Sequence, residues 1–296
     1  MNKISILIVN YNTDELTVQA VASVNKYVQN ISYEIIVVDN NSSKPTKLKT
    51  LLRDNPETNF YQLEKNIGFG KANNYAHSKS SGEYIFLLNS DAYLIDNSLE
   101  RMIEFLDKDT NEHVACLGGK VLDSGYNPNK AYGEFYSSKN IKSDLGIKKK
   151  ESKIDGIVDF DSIKEVDYII GAAVLIRSSV IDSLGLFSPK YFMYYEDMDL
   201  AYRFKRKGYL SIIDPSYQFI HIGGQSGYEN SVLNFRGCFN VLYSKYVFSR
   251  NFLPIIAAEF VYLLYIIQYL FAYSLLQLKR FVVKMKNKLS FKNNNG

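Results

Sequence analysis

The sequence predicts an α/β protein: a mostly parallel sheet with helices on both faces, followed by a C-terminal helical segment. Three observations predict it. Wholly apolar runs alternate with amphipathic stretches from Ile4 to Asp91. Each run stops at a polar cluster, as strands do when they feed a loop. Hydrophobic residues make up 46% of the 296 residues, enough to bury a sizeable core.

The first run, Ile4-Ser5-Ile6-Leu7-Ile8-Val9, reads as a buried strand that breaks at Asn10-Tyr11-Asn12. Asp14 is placed to cap a helix whose apolar positions are Leu16, Ala20, Val21 and Val24. A second strand, Glu34–Val38, stops at Asp39-Asn40-Asn41-Ser42, and a short third lies around Phe60–Leu63. Asn66-Ile67-Gly68-Phe69-Gly70 then leads into a helix over about Lys71–Ser80, and strand Tyr84–Leu88 ends at Asn89-Ser90-Asp91. Continuous apolar strands between helices argue a parallel sheet covered on both faces. Ligands of such sheets sit beyond the carboxyl ends of the strands, where these polar clusters fall.

From Ser124 to about Lys164 the pattern dissolves into Gly, Asn, Ser, Lys and Tyr, which predicts a long irregular excursion. Structure resumes at Tyr168–Ile176, followed by helices near Ser179–Leu184 and Met198–Lys207 and a last short strand, Leu210–Ile213. The formal charge of +4, with acids and bases interspersed through the first 250 residues, gives no indication of nucleic acid as a partner. Cys116 and Cys238 lack metal-ligand spacing and read as thiols in a reducing compartment. The chain opens directly on a strand, without a basic leader or a cleavage site, which predicts a cytosolic catalytic part.

Five constellations carry chemistry. Asp39 could accept from the imide N–H of a uracil or thymine ring on which Tyr11 stacks, or simply form an Asx-type turn. Gly68 and Gly70 before a helix permit close approach of phosphates to backbone N–H groups. Asp91 could hold a divalent cation that neutralises a departing pyrophosphate, or merely end its strand. In Phe192-Met-Tyr-Tyr-Glu196-Asp197-Met-Asp199-Leu-Ala-Tyr-Arg203, pairing of Asp199 with Arg203 at i,i+4 is an adequate structural account of those two residues. It leaves Glu196 and Asp197 unexplained, and a carboxylate general base for an acceptor hydroxyl suits that place. An unperturbed Asp titrates near ~3.9, so burial or a close like charge would make it a better base. His221, before Gly223-Gly224, is a turn histidine taken alone and a metal ligand beside an acidic site.

With these residues laid out, the sequence resembles the family 2 glycosyltransferases, particularly the bacterial rhamnosyltransferase-like branch. The resemblance covers roughly residues 3–245, and its blocks occur in family order. They are Ile-Val-Asn-Tyr-Asn, Val-Val-Asp39-Asn-Asn-Ser, Asn-Ile-Gly-Phe-Gly-Lys-Ala-Asn-Asn, Leu-Leu-Asn-Ser-Asp91, Gly171-Ala-Ala, Tyr-Glu-Asp197-Met-Asp-Leu and His221-Ile-Gly-Gly. The resemblance implies the GT-A fold over residues 1–245, with 124–164 a variable acceptor-side region, and inversion of the anomeric centre by direct displacement. It implies Asp197, with Glu196, as the catalytic carboxylates, and Asp91 and His221 as metal or phosphate contacts. Tyr11, Asp39, Asn41, Gly68, Lys71, Asn74, Asn89 and Gly171 would meet the nucleotide-sugar. The implied cofactor is Mn²⁺ or Mg²⁺, oxygen and imidazole ligands suiting Mn²⁺ somewhat better. The implied donor is a dTDP- or UDP-sugar, rhamnose being one candidate, and the acceptor a glycan or lipid-linked glycan of cell-surface polysaccharide synthesis. One departure is that the usual Asp-any-Asp metal motif reads Asn89-Ser90-Asp91, a form that recurs among rhamnosyltransferase-like relatives.

Residues 246–296 form the second segment. From Phe252 to Leu278 there is one acid, Glu259, and no basic residue. Glu259, Tyr262, Tyr265, Tyr269, Tyr273 and Gln277 share one face of a helix, and Phe260, Leu264, Ile267, Phe271, Leu275 and Leu278 the other. Lys279, Arg280, Lys284, Lys286, Lys288 and Lys292 follow with no acid among them. This pattern predicts peripheral attachment to the inner face of the cell membrane, with a buried helix of a soluble oligomer as the alternative. Two rival functions are weighed against transfer. A nucleotidyltransferase would need a basic Gly-rich signature after the first strand, which Asn10-Tyr11-Asn12 does not supply, and a silent scaffold would not need carboxylates at 91, 196 and 197.

Overall fold

The computed structural model describes residues 3–147, 156–223, 235–271 and 273–274. The N-terminal elements are β1 (Ile4–Asn10), α1 (Asp14–Tyr27), β2 (Tyr33–Asp39), α2 (Leu48–Leu51), β3 (Thr58–Gln62), α3 (Phe69–His77) and β4 (Tyr84–Leu88). Then come β5 (Ala92–Leu94), α4 (Ser98–Leu106), β6 (Val114–Leu122), β7 (Pro128–Asn129), β8 (Tyr132–Gly133) and α5 (Ser138–Asp144). The C-terminal part contains β9 (Lys164–Val166), β10 (Tyr168–Ile169), β11 (Ala173–Arg177), α6 (Ser178–Leu184), α7 (Glu196–Lys205), β12 (Leu210–His221) and α8 (Phe235–Ser249). A further helix covers residues 255–271.

Ten strands form one sheet in the order β3-β2-β1-β4-β11-β6-β12-β5, with β7 on β6 and β9 on β12. The β3-β2-β1-β4 half is parallel throughout, as the strand–helix alternation predicts. The other half is mixed: β11 runs antiparallel to both β4 and β6, and β5 antiparallel to β12. The expectation of a mostly parallel sheet is therefore corrected to a mixed one. No helix separates β4 from β5, yet the two are not neighbours in the sheet: β4 pairs with β1 and β11, and β5 with β12.

Helices cover both faces because β1 points alternate side chains to opposite sides. Ile4, Ile6 and Ile8 pack with Ala20, Val21 and Val24 of α1 and Leu99 and Ile103 of α4. Leu7 packs on the other side with Ala72 and Ala76 of α3 and Phe204 of α7. In the first turn of α1 Thr17 is buried, and Leu16, expected on the apolar face, is only half-buried. Thr13 occupies the N-cap, while the Asp14 carboxylate accepts from Asn10 Nδ2, Thr46 Oγ1 and Lys47 N, tying the loop after β2 to the end of β1.

The expected irregular stretch 124–164 holds β7, β8 and α5 among its described residues. The α5 start is a capping box in which Ser137 and Asn140 exchange hydrogen bonds. Asn in place of the usual Glu or Gln hid that signature. Tyr168–Ile176, expected as one strand, is two, broken where Ala172 N donates back to Ile170 O. The last strand is far longer than Leu210–Ile213, because register shifts at Pro215 let it continue to His221.

The chain divides into two compact units, Met1–Phe135 with Glu151–Ser244, and Tyr136–Lys150 with Lys245–Gly296. Among the described residues no helix is long and apolar enough to cross a membrane. Leu275, Gln277, Leu278 and the basic tail lie outside the described residues.

Candidate active site

At the carboxyl ends of β1, β2 and β4 lies a hollow of about 210 Å³, lined by Tyr11, Asn40, Asn66, Gly68, Phe69, Asn89, Ser90, Asp91, Phe192, Met193, Tyr194 and His221 among others. Three loops are fastened there by Asn10, a residue expected at a strand end but given no role of its own. Its Nδ2 donates to Asp39 Oδ1 at 2.7 Å, and its Oδ1 accepts from Thr13 and Thr17. Thr13 Oγ1 in turn lies 2.8 Å from Ser90 Oγ. Register explains why this works: Asn10 and Asp39 are directly paired at the ends of β1 and β2.

Asp39 is fully buried, its carboxylate accepting from Asn10 and from the Ser42 hydroxyl and N–H, and it does not line the hollow. Tyr11 does line it. Asn41 is exposed in the left-handed region at φ 58°. Its neighbours Asn40 and Asn66 face the hollow instead, joined by an Nδ2–Oδ1 hydrogen bond of 3.1 Å. Lys71 is half-buried on α3. The Asn74 amide is spent on the backbone of Phe187, donating to its carbonyl and accepting from its N–H.

Gly68 shapes the hollow in another way. Its φ of 89° is open to glycine, and a Cβ there would sit 2.2 Å from the Phe192 carbonyl oxygen. That carbonyl accepts from Phe69 N, so the glycine lets the Phe192–Tyr194 segment close onto the start of α3.

On the β4 side, Asp91 and His221 meet because β5 begins directly after Asp91 and pairs antiparallel with the end of β12, His221 opposite Ala92. His221 Nε2 lies 3.2 Å from Asp91 Oδ1 and 3.4 Å from Asn89 Nδ2. Asn89 Oδ1 is buried without a hydrogen-bond partner among the described residues. An orphaned acceptor beside a carboxylate and an imidazole is a donor set that fits a divalent cation. No third His, Cys, Asp or Glu joins the pair among the described residues.

The acidic stretch opens α7. Tyr194 and Tyr195 precede it with φ of 70° and 71°, both left-handed, a conformation that costs about 1–3 kcal/mol per non-glycine residue and persists where surrounding structure enforces it. Asp199 accounts for itself structurally: Arg203 Nε donates to it at 2.9 Å, as the i,i+4 spacing predicts, and so does Tyr191 Oη at 3.2 Å. Asp197 accepts from Gly171 N at 3.1 Å, and a Cβ on Gly171 would stand 2.6 Å from its Oδ1. The next residue, Ala172, accepts from Asn89 N at 2.9 Å. A single dipeptide thus ties the Asp197 carboxylate to the loop that carries Asp91.

Glu196 is only 5% exposed, and its Oε2 has no hydrogen-bond partner among the described residues. Burial raises it well above the usual carboxylate range, and the neighbouring Asp197 raises it further. Burial also raises Asp197, against the opposing hydrogen bond from Gly171. A raised carboxylate binds its proton more tightly in the folded state, so stability is fully present at low pH and falls as the pH rises through the raised value. Glu196→Gln, which fixes the neutral form, is therefore expected to gain melting temperature relative to the parent between about pH 5 and about pH 9. Parallel melts across that range would show it, and a constant difference would remove the buried-proton account.

Residues 5–181 match the family described as Glycosyl transferase family 2. The chain belongs to that family. The glycosyltransferase is 23% identical over 266 residues to the low-salt glycan biosynthesis hexosyltransferase Agl10 of Haloferax volcanii, across 85% of this chain and 78% of the relative. Over a 60-residue stretch, 20% of each chain, it is 38% identical to the N-acetylglucosaminyl-diphospho-decaprenol L-rhamnosyltransferase of Mycobacterium tuberculosis. Its fold is similar to that of the mannosyltransferase PcManGT of Pyrobaculum calidifontis, solved with GDP-Man and Mn²⁺. The TM-score is 0.57 at 15% identity, covering 87% of this chain and 69% of that one. The architecture is GT-A-like. Of the residues expected at the site, Tyr11, Gly68, Asn89, Asp91 and His221 share the hollow, whereas Asp39, Asn41, Lys71, Asn74, Gly171, Glu196 and Asp197 lie outside its lining. Asn40, Asn66, Phe192, Met193 and Tyr194 line it unannounced, the last three inside a motif read only for its charges.

Proposed function

We propose that the glycosyltransferase moves one sugar from a nucleoside-diphosphate donor to a hydroxyl of a glycan or lipid-linked glycan, inverting the anomeric centre. The observation that carries this reading is the Gly171–Ala172 link between the Asp197 carboxylate and the loop bearing Asp91, beside which His221 of β12 stands. A leaving group on one side and a base on the other are what direct displacement requires. Tyr11 offers a ring on which a uracil or thymine base stacks, with Asp39 holding the surrounding loop. Gly68 and the start of α3 offer backbone room for the phosphates. A divalent cation, Mn²⁺ or Mg²⁺, would be held by Asp91 and His221 beside Asn89 Oδ1, and when bound it neutralises charge on the departing diphosphate.

The chain's own part in the chemistry is proton transfer. Asp197, raised by burial and held by Gly171 N, takes the proton of the acceptor hydroxyl as the oxygen attacks. Glu196 beside it, holding its own proton, adds no second negative charge that would repel the nucleophile. Rhamnose remains a candidate sugar through the shared 60-residue stretch. A thermal-shift screen of dTDP- and UDP-sugars with Mn²⁺ or Mg²⁺ tests the reading, since a ligand of the native state raises apparent stability. One donor is expected to raise the melting temperature with metal in the parent and not in Asp91→Ala. An unchanged shift in that variant would remove Asp91 from donor binding.

A further inference from the structure

The described part of the helix over residues 255–271 presents two faces of opposite character. Tyr265 is 3% exposed, its hydroxyl hydrogen-bonded to that of Tyr136. Ala258 is fully buried, the Tyr262 ring stacks on Tyr246 at 4.9 Å, and Gln268 Nε2 donates to the Asp144 carbonyl. Asp144 also binds Lys245 Nζ at 2.7 Å and the Tyr136 hydroxyl at 2.9 Å. This unit has therefore fixed which way the helix points.

Opposite Tyr265 the apolar side chains face outward: Ile256 is 82% exposed, Phe260 61%, Leu263 52%, Ile267 54%, Leu270 46% and Phe271 68%. At about 100° per residue these six fall within a stripe about 100° wide. Such a contiguous exposed stripe marks a surface that something covers. Among the described residues no helix is long and apolar enough to cross a membrane. An apolar stripe opposite a face spent on protein is the pattern of a helix lying in an interface. Sequence beyond the helix chooses between partners. Lys279, Arg280, Lys284, Lys286, Lys288 and Lys292 follow with no acid interspersed, a charge pattern complementary to anionic headgroups and of no use to a seam between two copies.

We infer that this face docks in the plane of an anionic lipid bilayer, with Phe260, Ile267 and Phe271 in the acyl boundary and the basic tail on the headgroups. The inference stands independently of the transfer reaction. Co-sedimentation of the full chain with vesicles of phosphatidylcholine, with and without about one third phosphatidylglycerol, tests it. Binding is expected to the anionic vesicles and to fall steeply with salt. Combining Phe260→Ser, Ile267→Ser and Phe271→Ser is expected to lower partition by more than about a hundredfold. Lys284→Glu with Lys286→Glu, which leaves the described helix untouched, is expected to lower it by about tenfold or more. Absence of binding to anionic vesicles, or equal binding by the tail variant, overturns the inference. So does a parent dimer by light scattering that the serine variants dissociate, which would assign the face to a second copy.

Discussion

Asp197→Asn is expected to slow sugar transfer by about 10²–10⁴-fold while leaving the fold intact. Asparagine matches aspartate in size and keeps an oxygen that can accept from Gly171 N, the contact that positions the side chain. What it loses is the ability to take a proton. Because Asp197 stands outside the lining of the hollow, the loss is expected in kcat with little change in KM for the donor. The same change removes the negative charge beside Glu196, so the glutamate, still raised by burial, moves down toward its ordinary range, and its loss of stability with rising pH becomes smaller and ends at a lower pH. Initial rates at saturating donor, with a melting curve on the same preparation, check both parts. A folded Asp197→Asn that transfers at the parental rate would end the general-base assignment.

Gly68→Ala is expected to produce the largest loss of stability of any single methyl addition near the hollow, at least about 3 kcal/mol. Two effects add. The backbone sits at φ 89°, which a side chain rarely adopts, and the new Cβ would lie 2.2 Å from the Phe192 carbonyl oxygen. That carbonyl is backbone, so relief requires moving the segment that carries Phe192, Met193 and Tyr194 away from α3. The hollow would open, and donor binding is expected to weaken together with stability. Urea denaturation alongside donor thermal shift tests this. Parental values in both would show that the Phe192 segment yields easily and does not shape the site. Gly185, by contrast, has φ 76° and ψ 151° with nothing near its Cβ position, so Gly185→Ala is expected to cost the backbone strain alone, about 2–3 kcal/mol.

The parallel half of the sheet was legible because central strands buried on both faces must be apolar without interruption, as Ile4–Val9 and Tyr84–Leu88 are. Their polar ends were legible for the same reason, since an apolar run stops where the strand leaves the packed layers for a hydrogen-bonded loop, even one as buried as that of Asn10 and Asp39. The i,i+4 pair Asp199–Arg203 was readable because helix geometry alone brings those positions together. Those features depend on neighbours in sequence.

Contacts set by strand register were not readable from the local pattern. Asp91 and His221 were expected together only through the family resemblance: their meeting needs β12 to run past Pro215 and pair with β5, and a Pro in the run argues locally for an ending. Gly171 looked like part of a donor site, yet what its missing Cβ admits is the Asp197 carboxylate, a partner on another element. Asn74 looked equally available and is occupied by the Phe187 backbone. The sequence by itself determined which residues are capable of the chemistry and which strand ends carry them, because composition and periodicity are local. Only the tertiary structure decided which of those side chains face the hollow and which are consumed in holding it, because a hydrogen bond between distant segments exists only once the sheet has set their register.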